Sequence, residues 1–176
     1  MKSKGFLLAL LLMAQLFAGP AGASQEENKL MAVFFGRFAS YIELPDRSAK
    51  HFVITLIDEN PFGSLLDELY QGKVINGKPV VIRYVTRIED IGQCDILFIT
   101  LVNPRTRQDT IDYGTRNSIL TISTATGFAE RGGIIQLDFL QQHTRIKINH
   151  AAAVKSNIRI GAPLLSLATV IRGDTP

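Results

Sequence analysis

The stretch CDILFITLVNPRTRQDTIDYGTRNSILTIST, residues 94–124, decides the fold. Its first end, CDILFIT, is an almost unbroken apolar run, the pattern of a strand covered on both faces. Its other end, SILTIST, returns to strand after a polar, helix-like NPRTRQDTIDYGT, with Gly114 placed to close that helix. Strand, helix and strand joined by short links describe a parallel crossover in a layered α/β domain. Upstream the same alternation continues. HFVITLID (51–58) reads as another doubly covered strand, PFGSLLDELYQG (61–72) as a helix with Gly72 at its C-cap, and KPVVIRYV (78–85) as a strand. Before them, Glu26 to Leu44 carries Leu30, Met31, Val33, Phe34, Phe35, Phe38, Tyr41 and Ile42 at helical spacing, and Pro45 ends it.

Downstream the period changes. IIQLDFL (134–140) and RIKIN (145–149) alternate, with Ile135, Leu137 and Phe139 on one face, Ile146 and Ile148 on one face of the second strand, and Gln141-Gln142 at the turn. This is a half-exposed antiparallel hairpin at one edge. A short helix from Ala151 to Ser156 follows. A last one from Pro163 to Ile171 has Leu164, Leu165, Leu167, Ala168 and Ile171 as its apolar face. The expected fold is one α/β domain over residues 24–176, a mainly parallel central sheet flanked by helices with an antiparallel edge hairpin near the C-terminus.

The first residues set the expected compartment. Lys2 and Lys4 precede an apolar run from Phe6 to Ala18, and Ala21-Gly22-Ala23 has the small-residue pattern of a signal-peptidase site. The run is shorter than the ~20 residues a membrane-spanning helix needs. Residues 1–23 are therefore read as a cleaved export signal, and the remainder as a periplasmic protein. Of 19 basic residues, two lie in that leader, which leaves a near-balanced charge against 16 acidic ones and no basic stripe for nucleic acid. The single cysteine, Cys94, excludes an intrachain disulfide. It leads into an apolar strand with no basic neighbour in sequence, which fits a buried, inert thiol better than a redox sensor.

Catalytic patterns are missing. IDENPFGS after the first strand is not the G-x-G-x-x-G of a dinucleotide site, FITLVNPR offers no phosphoacceptor aspartate, and there is no G-x-S-x-G elbow. His51, His143 and His150 do not have metal-ligand spacing. No enzyme activity, cofactor or metal is expected. Ligands in open α/β sheets sit beyond the carboxyl ends of the strands. There Ser123, Thr124 and Thr126 beside Gly127 offer hydroxyls for a small polar ligand, or turn and capping groups. Arg37 falls within the apolar face of the first helix. Its stem extends over that surface, or its guanidinium lines a ligand or partner site.

In GFAERGGIIQLDF (127–139), Gly132-Gly133 allow a sharp turn into the hairpin, and Glu130 and Arg131 project from it. The polar face of the next strand carries His143, Arg145, Lys147 and Asn149. Arg131, Arg145 and Asn149 are candidates for what this corner holds, although Asn149 equally suits an N-cap for the helix at Ala151. Leu167 and Ile171 are the candidate partner surface.

MAVFFGRFASYIELP (31–45), the 127–139 element, CDILFIT and RIKINHAAAVKSNIRIGAPLLSLATVI (145–171) together resemble the YfiR-like family of secreted bacterial proteins, over essentially the whole mature chain. The resemblance implies a non-enzymatic repressor of an inner-membrane diguanylate cyclase, acting on its periplasmic portion and so lowering cyclic-di-GMP and biofilm formation. It also implies homodimerisation, and relief of repression by an outer-membrane OmpA-like lipoprotein. Disulfide-based redox control in the family does not carry over, because the partner of Cys94 is missing. The alternative is a periplasmic small-ligand sensor for another membrane receptor, such as a histidine kinase.

Overall fold

A computed structural model describes residues 21–140 and 143–172. Among these residues there are ten strands: β1 (Ile42–Glu43), β2 (Phe52–Ile57), β3 (Val74–Ile75), β4 (Lys78–Val85), β5 (Ile96–Ile99), β6 (Leu120–Ser123), β7 (Ile135–Leu140), β8 (His143–Asn149), β9 (Arg159–Ile160) and β10 (Thr169–Ile171). The α-helices are α1 (Ala21–Ala39), α2 (Leu65–Tyr70), α3 (Pro104–Arg116), α4 (His150–Lys155) and α5 (Ala162–Ser166). Eight strands form one sheet in the order β10-β8-β7-β6-β5-β2-β4-β3, and β1 pairs separately with β9. The pairs β4–β2, β2–β5, β5–β6 and β6–β7 are parallel, as the strand–helix–strand reading requires.

The doubly apolar strands are covered on both faces. Every residue of β2, β5 and β6 is buried. On one face, Phe35 and Phe38 of α1, Leu66 and Tyr70 of α2, Ala153 of α4 and Leu164 of α5 pack with Ile54, Leu56, Phe98, Ile122 and Leu137. Phe35, Phe62 and Phe98 form an aromatic trio with ring centroids 5.4–5.7 Å apart, each pair worth about 0.5–1.5 kcal/mol beyond its buried area. On the other face Ile111 of α3, Phe128 and Ile91 cover Val53, Ile57, Leu97 and Ile99. Among the described residues, no helix is long and apolar enough to cross a membrane.

Several expectations are corrected. The first helix ends at Ala39, not Leu44, because Ile42 turns into β1, where it pairs with Ile160 of β9. Gly114 does not close α3, which continues to Arg116. It is a packing glycine: a Cβ there would lie 2.4 Å from Thr121 Cγ2. The last helix stops at Ser166. Ile171 belongs to β10, which pairs parallel with β8 and adds a three-residue strand beyond the hairpin. Gln136 is wholly buried rather than solvated, because the 127–133 loop lies over it. The Gln141-Gln142 turn and almost all of the expected export signal lie outside the described residues.

Candidate functional site

The carboxyl ends of β2, β5 and β6 open into a cleft of about 380 Å³. Phe98, Ile99, Met31 of α1 and Phe139 of β7 make its apolar lining, while Glu27, Glu59, Thr100 and Thr124 edge it. The chain leaves β2 through Asp58, whose φ of 83° bends it sharply out of the sheet. Thr100 then fixes the turn. Its hydroxyl, which accepts from Glu59 N–H (2.8 Å), has one proton to donate and lies within reach of the carbonyls of Ile57 (2.8 Å) and Glu59 (3.0 Å). Arg107 is also committed to backbone, donating to the carbonyls of Leu101 (2.8 Å) and Val102 (2.7 Å). Glu27 and Glu59 have no ion-pair partner among the described residues. The cleft is therefore apolar at its floor, with the carboxylates of Glu27 and Glu59 and the Arg107 guanidinium at its edge.

The predicted hydroxyl trio divides. Ser123 is buried, donating to Ile99 C=O (2.6 Å) and accepting from Ala125 N–H (3.1 Å), so it holds the turn. Thr124 is exposed on the cleft, and Thr126 is exposed outside its lining. Of the cleft residues that sequence reasoning did not single out, Glu59 and Thr100 stood at the strand ends it searched. Met31 and Phe139 looked like ordinary core, and Glu27 gave no signal.

The glycine corner is a second unit. Gly127 and Gly132 take φ of 75° and 96°. Gly133 lies flat under Phe128, where a Cβ would come within 2.1 Å of the ring. These features deliver Ala129 to a polar clamp. Gln136 Oε1 accepts from Ala129 N–H (3.2 Å), and Asn149 Nδ2 donates to Ala129 C=O (2.8 Å). Asn149 Oδ1 also accepts from Ala152 N–H (2.8 Å) and caps α4. Gln136 Nε2 donates to Asp138 Oδ1 (2.5 Å), and Lys147 Nζ pairs with Glu130 Oε1 (2.9 Å) beside Asp138. The Lys147 ammonium holds the Glu130 carboxyl below its ordinary pKa. Asn149 thus ties loop, hairpin and helix together, and both its polar atoms are used. The clamp partner Gln136 was legible only as an alternating strand residue.

The remaining candidates do not converge. Arg131 is exposed, with its Nε 3.9 Å from where a Gly127 Cβ would stand, and its carbonyl accepts from Gln108 Nε2 (3.3 Å). Arg145 is exposed opposite Asp138 in the β7–β8 register, with no ion pair among the described residues. Arg37 is exposed on a separate shallow groove between α1 and β3, with Val33, Tyr70, Lys73 and Val74. Leu167, at the end of α5, is 77% exposed, and Ile171, in β10, is half-buried. Cys94 is buried, and burial pushes its thiol up to about 11. Among the described residues, no group of three His, Cys, Asp or Glu is placed to hold a metal ion.

No curated protein matches the chain in sequence. Among solved structures, a conserved domain protein from Vibrio cholerae O1 biovar El Tor is similar, with a TM-score of 0.57 at 14% identity. The match covers 82% of this chain and 60% of that one, so the chain spans about three fifths of its length. At that identity the likeness concerns the fold alone. The family model described as YfiR/HmsC-like matches residues 28–169, from α1 into β10. The elements that carried the resemblance are thus all placed in one domain, and the chain belongs to the YfiR/HmsC-like family.

Proposed function

We propose that this protein is a periplasmic regulatory binding protein that represses an inner-membrane diguanylate cyclase through its periplasmic portion, lowering cyclic-di-GMP and biofilm formation. Family membership over residues 28–169 is the observation that carries this reading. The candidate site is consistent with it. Ser123, Arg107 and Asn149 bond to backbone groups, so these three side chains hold the loops around the strand ends. The protein acts by binding rather than by chemistry, as a homodimer, and an OmpA-like lipoprotein of the outer membrane sequesters it. The test is cyclic-di-GMP measured in the source bacterium with and without the gene. Loss of the gene raises the level, and the exported chain restores it. An unchanged level refutes the reading.

A second reading rests on the strand-end cleft. Its size, apolar floor and position suit a small ligand, which would make the protein a sensor subunit for a membrane receptor such as a histidine kinase. Thr124 then belongs to the ligand contacts and Ser123 to their support. Thermal-shift screening of small organic amines, matched to Glu27 and Glu59, tests it. A stabilisation abolished by Met31→Lys supports a ligand, and none across the series rejects this class.

A further inference from the structure

β4 is the longest strand of the sheet, yet its outer side is mostly uncovered. β3 pairs only with Lys78 and Pro79, and Val80 N–H donates to Lys73 C=O (3.0 Å). Val85 C=O accepts from Asp58 N–H (2.9 Å), so Val81, Arg83 and Val85 direct their backbone groups toward β2. Ile82 and Tyr84 therefore point N–H and C=O outward, and none of these four groups has a partner among the described residues.

Natural sheets blunt such edges with proline, lysine or bulges. Here Lys78 and Pro79 fall in the half that β3 already covers, and the open half, VIRY, has neither; its one charge, Arg83, is drawn to the carbonyls of Ile91 (2.7 Å) and Gln93 (3.3 Å). Beside it runs a groove of about 400 Å³ between α2 and β4, lined by Asp67, Glu68, Tyr70, Gln71, Val80 and Ile82. Val80 and Ile82 form its apolar stripe; Asp67 Oδ2 accepts from the Tyr84 hydroxyl (2.8 Å), and neither Asp67 nor Glu68 carries an ion pair among the described residues.

We propose that the open edge of β4 receives an extended segment of a partner protein as an added antiparallel strand. That segment carries basic side chains at alternate positions to meet Asp67 and Glu68, with a β-branched residue between them over Val80 and Ile82. Backbone pairing supplies the attachment, and the alternate side chains supply the selection. A second copy of this chain fits poorly. Two-fold pairing of β4 with itself gathers the acidic residues of both copies at one seam, and Val80, Ile82 and Tyr84 bring no cation to offset them. The surface is separate from the strand-end cleft and does not depend on which membrane protein is regulated.

The probe is the capped peptide Thr-Lys-Thr-Val-Thr-Lys-Thr, added to the purified protein while amide NMR shifts and hydrogen exchange are followed. Binding shifts and protects the amides of Ile82 and Tyr84. Replacing both lysines by glutamate, or methylating the backbone nitrogens that face β4, weakens binding about tenfold or more. Ile82→Pro removes an outward N–H without touching the β2 ladder and abolishes binding. The conservative pair Asp67→Asn and Glu68→Gln keeps the fold and lowers affinity. No binding, shifts mapping elsewhere, or equal affinity for the lysine and glutamate peptides overturns the proposal. So does a protein dimer whose Ile82 and Tyr84 amides are protected before peptide is added.

Discussion

Asn149→Ala is the sharpest perturbation of the corner. The side chain caps α4 through Ala152 N–H and donates to the carbonyl of the fully buried Ala129. Loss of the cap costs about 1 kcal/mol. The Ala129 carbonyl, left buried without its partner, costs a further 1–3 kcal/mol or so. The expected destabilisation is roughly 2–4 kcal/mol, which in a domain of this size lowers Tm by roughly 4–16 °C. Urea denaturation followed by far-UV circular dichroism measures it, with the m-value checked for two-state behaviour. Asn149→Asp separates the parts, because the carboxylate still caps α4 but no longer donates to Ala129. A loss below about 0.5 kcal/mol for Asn149→Ala, the size of an ordinary surface change, refutes the clamp and returns Asn149 to the ligand candidates.

Gly114→Ala drives a methyl into Thr121 Cγ2. Overpacking at the upper end of about 1–3 kcal/mol outweighs the ~1 kcal/mol of helix propensity gained, so thermal denaturation shows a net loss. In a Thr121→Ser background, which keeps the hydroxyl accepting from Ile134 N–H, the same change becomes neutral or stabilising. Cys94 resists maleimide at neutral pH in the native protein and reacts on unfolding, as its burial dictates. Because its folded pKa of about 11 lies above the ordinary value near 9, the unfolded chain loses the proton first. Stability therefore falls as pH rises between those values, and Cys94→Ala flattens this alkaline slope. The Glu130–Lys147 pair has the opposite dependence. With the Glu130 pKa depressed, its contribution is present above the unfolded carboxylate value and disappears as pH falls through the folded one. The stability difference between wild type and Glu130→Gln shrinks toward zero on acidification.

The layered core was legible because its signal is redundant. FVITLI, ILFI and LTIS are apolar on both faces, and only a sheet between helices buries both. The final segment was not, because Leu164, Leu165, Leu167, Ala168 and Ile171 fit helical spacing by coincidence. The β-branched Thr169-Val170-Ile171 marked the strand they contain. Asn76-Gly77, at φ of 51° and 76°, makes the tight β3–β4 hairpin, and this Asn-Gly pair was a readable turn signal passed over. β1 and β9, two residues each, are set by tertiary pairing and leave no period to read. At the strand ends and the glycine corner, residue types marked the loops but not the duties of their side chains. Whether a hydroxyl or amide binds a ligand or holds a turn depends on neighbours such as Ile99 C=O and Ala129, which are remote in sequence.

Repression by direct contact calls first for the exported chain as immobilised bait on detergent-solubilised inner membranes of the source bacterium, with the eluate identified by mass spectrometry. The expected eluate holds a diguanylate cyclase with a periplasmic portion, enriched over a control bait and competed away by free protein. An eluate that holds a sensor kinase instead, or no membrane protein above control, contradicts repression by direct contact.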